Sequence, residues 1–190
     1  MKAEHSAALA TWANAITTGR LILAPLMFWV IPESAGGSWI AFLLWFALCA
    51  SDAFDGYIAR RHGTTRSGAF LDPLADKVLV LGAMFTLVGN GVFPLLPVVI
   101  IAAREFVISM YRTVVGSKGV SIPASKMAKN KTLAQQLAVG FALLPLTALD
   151  ATWLWKGMLW IAVVLALVSG WSYLRGSRAT PSDEGLRIAS

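Results

Sequence analysis

The sequence predicts an all-α, polytopic membrane protein with six transmembrane helices and an N-terminal helix lying at the interface. Three observations predict it. Hydrophobic residues make up 57% of the 190-residue chain and charged residues only 14%, against roughly 25% charged in an ordinary soluble domain. With a mean hydropathy of +0.67, the chain carries more apolar surface than a soluble core of this size can hide. The apolar stretches are also long. No charged residue occurs in 34–51, 78–103 or 132–149, and about 20 helical residues cross a bilayer. Finally, the cations collect in alternate loops, the pattern that orients membrane helices.

Taken in order, residues 3–13 with Trp12 suit an interfacial helix. The six spans are expected at 16–33, 38–60, 68–89, 92–113, 126–147 and 153–174. One set of loops holds the N-terminus, Arg60, Arg61, Arg66, Arg112, Lys118, Lys126, Lys129, Lys131, Arg175, Arg178 and Arg187. The opposite set holds Glu33, Asp150 and Lys156, the one cation at an end assigned to the far side. This asymmetry places both termini in the cytoplasm, with the protein in the cell membrane. Residues 1–175 then form the membrane domain, and 176–190, largely polar, a disordered cytoplasmic tail. No removable signal peptide is expected, because no early cationic region precedes an apolar stretch and cleavage site. Cys49 is the single cysteine, which excludes an intramolecular disulfide. The net charge of +6 is explained by the loop cations, so nucleic acid is not an expected partner.

The chemistry lies in the segment from Ser51 to Lys77, SDAFDGYIARRHGTTRSGAFLDPLADK. Asp52 and Asp55 are three apart and Asp72 and Asp76 four apart, so each pair projects from one face of its helix. A short loop, about 61–67, makes the two helices antiparallel neighbours whose acidic pairs can face each other. Single aspartates at helix ends are commonly solvated or paired with arginine, and small residues commonly serve helix packing. Four carboxylates together near a membrane interface need cations among them, and charges at that depth mark catalytic centres or ion paths. Oxygen-only ligands suit Mg²⁺ or Mn²⁺ better than zinc. Two such ions would be neutralised by four carboxylates and keep positions free for phosphate oxygens. Gly56, Ala59, Gly68 and Ala75 flank the acidic faces and leave room for a bulky ligand, while Arg60 at the helix end can meet a diphosphate.

Asp52, Asp55, Gly56, Ala59, Arg60, Gly68, Asp72 and Asp76 also resemble, at every fixed position, the signature of the CDP-alcohol phosphatidyltransferases: D-x-x-D-G-x-x-A-R, a spacer, then G-x-x-x-D-x-x-x-D. The resemblance implies a six-helix membrane fold, a homodimer, and an active site open to the cytoplasm. It implies that Asp52, Asp55, Asp72 and Asp76 surround the metal ions and that Gly56, Ala59, Arg60 and Gly68 border the CDP moiety. Asp72 and Asp76 would be catalytic, Asp76 helping to deprotonate the attacking hydroxyl. Asn14, Thr17 and Arg20, then Arg104, Glu105, Ser109 and Arg112, then Ser125, Lys129, Lys131, Thr132 and Gln135 resemble the phosphatidylglycerophosphate synthase branch. Ala13 and Ala128 depart from it, standing where proline and glycine are common.

The remaining cations point to the acceptor. Arg104 and Arg112 are about two turns apart, and Lys129 and Lys131 open the next span. An unpaired guanidinium as deep as Arg104 costs at least about 2.5 kcal/mol, and Glu105, adjacent in sequence, is expected to pair with Arg112 or another span. Arg104, Arg112, Lys129 and Lys131 form the candidate pocket for an acceptor bearing its own phosphate, such as glycerol 3-phosphate. Lys118, Lys126 and, on an equal footing, Lys129 also suit contact with anionic lipid headgroups. With CDP-diacylglycerol as donor, the expected products are phosphatidylglycerol phosphate and CMP. Other acceptors (phosphatidylglycerol, inositol phosphate, serine), a non-enzymatic divalent-cation transporter and an inactive scaffold remain the rival readings.

Overall fold

Proline and glycine decide where these helices stop. The computed structural model describes the backbone of residues 18–62, 68–117 and 126–176, and the side chains of 18–51, 74–114 and 129–171. Seven helices occur among the described residues: α1 (Thr18–Val30), α2 (Trp39–His62), α3 (Gly68–Gly89), α4 (Leu95–Ser117), α5 (Lys126–Leu143), α6 (Pro145–Ala148) and α7 (Thr152–Gly176). No strand is present among them, as the all-α expectation requires. The expected helix at 3–13 and the tail beyond Gly176 lie outside the described residues.

Helix positions follow the expected spans with two informative differences. The fourth was expected from 92 but starts at Leu95, directly after Pro94, which cannot donate to a preceding turn. The fifth was expected unbroken to 147. It stops at Leu143, and Leu144 is extended (φ −73°, ψ 116°) before Pro145 opens the one-turn α6. A residue preceding proline is pushed out of the helical region, while proline itself suits a first helical position. Thr147 recovers a freed carbonyl, its Oγ1 donating to Phe141 O at 2.6 Å.

The connections between helices meet at one end. Ser38 N donates to Leu143 O at 2.8 Å, joining the start of α2 to the end of α5. Asn90 Nδ2 donates to Pro32 O at 3.0 Å, joining the end of α3 to the segment after α1. Phe93 stacks on Trp155 with centroids 5.3 Å apart, and Trp155 Nε1 reaches Ala148 O. Consecutive long helices therefore run up and down. The C-terminal ends of α2, α4 and α7 and the N-terminal ends of α3 and α5 lie at the opposite end of the bundle.

Within the bundle α5 packs most extensively on α7, with α4 on α7 and α3 on α4 alongside. The core joins Ala24 and Met27 of α1, Trp45 of α2, Leu79 and Met84 of α3, Ile101 of α4, Val139 of α5 and Leu159 of α7. Trp45 also donates from Nε1 to Gln136 O at 3.1 Å. The outside is as apolar as the inside: Trp29 is 84% exposed, and Ile40, Phe46, Phe106, Leu146, Trp153 and Trp171 are exposed too. Helix α7 is long and apolar enough to cross a membrane over Thr152–Trp171 by length and composition; Thr18–Val30 and Trp39–Ser51 are shorter apolar helices.

Gly37 tests the closed end. Its φ is +69°, and a Cβ placed there would lie 2.5 Å from the backbone oxygen of Leu143. Because a left-handed residue with a side chain costs about 1–2 kcal/mol before any clash, Gly37→Ala is expected to lower stability by at least that much. Thermal melting of the detergent-solubilised protein measures it, and an unchanged midpoint would deny the close approach of α2 to α5.

Candidate functional site

The site is assembled at the end of the bundle opposite Gly37. Asp52, Asp55, Gly56, Ala59 and Arg60 occupy the later turns of α2, and Gly68, Asp72 and Asp76 the first turns of α3. Helical spacing sets Asp52 with Asp55, and Asp72 with Asp76, on one face of each helix. The side chains of Asp52, Asp55, Ala59, Arg60 and Asp72 lie outside the described residues. Asp76 is described and half-buried.

Around Asp76 the structure gathers cations from three helices. Lys77 donates from Nζ to Ser109 Oγ, tying α3 to α4, and Ser109 Oγ in turn donates to Glu105 O at 2.6 Å. Lys77 lies within electrostatic reach of Glu105, Arg112, Asp76 and Arg104. Lys131, on α5, is buried and its Nζ donates to Glu105 Oε1; it lies within reach of Arg104 and Asp76 as well. The residues of three predicted roles, Asp76, Arg104, Arg112 and Lys131, thus share one electrostatic neighbourhood.

Arg104 is engaged on every nitrogen. Its Nε donates to Ala166 O at 3.1 Å, its Nη2 to Ser169 Oγ at 2.8 Å and its Nη1 to Glu105 Oε1 at 3.2 Å. This corrects the expectation that Glu105 would not meet its sequence neighbour: the arginine stem is long enough to bend its fork back to the adjacent carboxylate. Gly170 borders the seat: a Cβ there would lie 3.5 Å from Arg104 Cγ and 3.6 Å from Nε, ordinary packing contact that leaves the arginine stem in place.

The other predicted residues sit differently. Arg112 is exposed at the same end, about two turns after Arg104. Lys129 is also exposed, and two residues from Lys131 means about 200° around the helix, on another side of α5. Gln135 follows Lys131 by one turn and is buried. Its Nε2 has no hydrogen-bond partner among the described residues, an unspent donor on the Lys131 face. Arg20, in α1, is buried.

Two contributors went unmarked in the sequence reading. Lys77 had a visible signal: it is the last charge before 26 uncharged residues, 78–103, and directly follows Asp76. Ser169 had none, because a serine between Val168 and Gly170 in an apolar helix reads as a packing residue.

The donor set fits a hard divalent cation by its chemistry, as four carboxylates at helical spacing offer oxygen alone. Among the described side chains no group of three His, Cys, Asp or Glu residues gathers, and three of the four aspartates lie outside that set.

A helical bundle with an apolar exterior that collects carboxylates and cations at one end defines a class of proteins handling a charged group beside an apolar surface. The chain belongs to the CDP-alcohol phosphatidyltransferase family, whose profile matches residues 10–168. It is similar to a Cereibacter sphaeroides protein named CDP-diacylglycerol–glycerol-3-phosphate 3-phosphatidyltransferase, 30% identical over 90% of this chain and 97% of that relative. Proteins of the same name from Rickettsia bellii (33% identical, 87% of this chain, 94% of the relative) and Bacillus subtilis (34%, 84% and 91%) are similar too.

The Arg104 seat makes a prediction. Ser169→Ala removes an acceptor from a largely buried guanidinium, which costs about 1–3 kcal/mol. Chemical denaturation of the solubilised variant is expected to show that loss, and wild-type stability would deny the bond.

Proposed function

We propose that this chain transfers a phosphatidyl group from CDP-diacylglycerol to glycerol 3-phosphate, giving phosphatidylglycerol phosphate and CMP. The family membership supplies the CDP-alcohol chemistry, and the shared name of the three relatives supports this acceptor. One observation supports the choice of a phosphorylated acceptor: among the described side chains, Lys77, Arg104, Arg112 and Lys131 lie on neighbouring helices around Asp76 and Glu105. With the aspartates neutralised by metal ions, cations at that place favour an anion. An uncharged alcohol would have no use for them.

In this reading the hydroxyl of glycerol 3-phosphate attacks the phosphorus that carries the diacylglycerol. The bond from that phosphorus to CMP breaks, CMP leaves with the bonding pair, and the hydroxyl proton passes to Asp76. Asp52, Asp55, Asp72 and Asp76 would hold Mg²⁺ or Mn²⁺, two ions, whose charge offsets that of the diphosphate and the departing CMP. Gly56, Ala59 and Gly68 leave space for the CDP moiety, and Arg60 pairs with its phosphates. Lys131 and Arg112 receive the acceptor's phosphate, with Arg104 bracing the pocket and Lys129 at its rim. Direct displacement needs no protein nucleophile.

The remainder of the proposal concerns the setting. The expected six spans are supported by the exposed apolar side chains on every long helix, which suit lipid tails; the expected interfacial helix at 3–13 lies outside the described residues. The cation-rich end faces the cytoplasm of the cell membrane, as the positive loops favour, and the chain works as a homodimer, as its signature implies.

Two measurements test the chemistry. Purified protein with labelled CDP-diacylglycerol and a panel of glycerol 3-phosphate, phosphatidylglycerol, inositol phosphate and serine is expected to turn over the first; no turnover with it would remove the acceptor from the proposal. Chelation is expected to abolish CMP release, Mg²⁺ or Mn²⁺ to restore it, and Asp72→Asn to remove it by at least about a hundredfold. Metal flux into liposomes without CMP release would favour the transporter instead.

A further inference from the structure

The cation cluster proposed to receive phosphate contains a buried carboxylate, and that is the feature to explain. Glu105 is buried in α4. Its Oε1 accepts from Lys131 Nζ of α5 and from Arg104 Nη1, whose other nitrogens grip Ala166 and Ser169 of α7. Its main-chain oxygen accepts from Ser109, the residue that holds Lys77 of α3. Four helices meet on one residue.

We infer that Glu105 is a positioning residue for the acceptor subsite: its carboxylate fixes the Lys131 ammonium against α4 in the place where the acceptor's phosphate is received. This rests on the reading of Lys131 as a phosphate ligand given above.

The physical case has three parts. A lysine has four rotatable side-chain bonds and, beside Arg104, would be driven outward by repulsion between like charges. A single carboxylate oxygen shared by Lys131 and Arg104 removes that repulsion and orders both. An ammonium also has three donors; one spent on Glu105 leaves two for phosphate oxygens, so the pair holds the lysine without disarming it. And Glu105 is itself braced, because Arg104 is locked to α7 and cannot follow the substrate.

The test uses the full chain in mixed micelles, varying glycerol 3-phosphate and CDP-diacylglycerol separately. Glu105→Gln, nearly isosteric, is expected to raise KM for glycerol 3-phosphate about tenfold while KM for CDP-diacylglycerol stays within about twofold. Glu105→Asp is expected to fall between wild type and Glu105→Gln. In a Lys131→Met background, where the acceptor KM is already raised, Glu105→Gln should add little, since residues acting through one contact are not additive.

An unchanged acceptor KM in Glu105→Gln, an equal rise for both substrates, or full additivity with Lys131→Met overturns the inference while leaving the proposed reaction standing. A wild-type enzyme that turns over glycerol 3-phosphate, with a Lys131→Met variant of normal acceptor KM, removes the phosphate role of Lys131 and this inference with it. Should Glu105→Gln not fold, Glu105→Asp decides: it must still raise the acceptor KM alone, and wild-type values there overturn the claim.

Discussion

Burying charge among apolar helices sets the terms for everything else in this molecule. Lys131 and Glu105 are nearly inaccessible, and Arg104 is largely so. Removing such groups from water costs several kcal/mol each unless partners replace the solvent. Here each has one: a carboxylate between two cations, a guanidinium on a backbone carbonyl and a hydroxyl, an ammonium on the same carboxylate. Breaking a contact leaves a buried polar or charged group short of a partner, so the network ties α4, α5 and α7 together beyond what apolar packing alone supplies.

The opposite end obeys another rule. There the chain must turn between helices without leaving backbone groups unpaired, a strict demand where water is scarce. Proline and glycine supply the breaks: Pro145 stops α5, and Gly37 lets Ser38 reach the carbonyl of Leu143. Aromatic stacking of Phe93 on Trp155 closes the gap. With one end tied by turns and the other by charges, the apolar middle needs only to fill space, which Met27, Met84 and Leu159 do.

Much of this was legible in the sequence. Long uncharged stretches announced the helices, and in α3, where the expected span matched 68–89, the run from Val78 to Gly89 has neither charge nor proline to interrupt it. Composition alone missed the break at Leu144, because one proline barely lowers the mean hydropathy of a long apolar window, while its effect on the backbone is local. The acidic segment was visible because its residues are close in sequence and helical spacing turns separation into direction. The partners of Arg104 were not: Ala166 and Ser169 lie more than sixty residues away, and no periodicity encodes which helix an arginine will reach. Glu105 pairs with another span as expected, through Lys131, whereas its contact with adjacent Arg104 depends on a long, bendable stem that sequence separation does not show.

That division has a consequence for how the two substrates are handled. The residues proposed for metal and CDP lie on α2 and α3, within 25 positions of the chain, and the helix pair alone sets their geometry. The cations proposed for the acceptor come from α3, α4 and α5, braced by α7. Lys77 belongs to both groups, following Asp76 and bonded to Ser109, so α3 is where the two meet. A shift of α4 or α5 would therefore change which alcohol is accepted while leaving the displacement chemistry intact. Such an arrangement lets one reaction be redirected among alcohols by altering buried charges four helices share, with no change to the acidic segment itself.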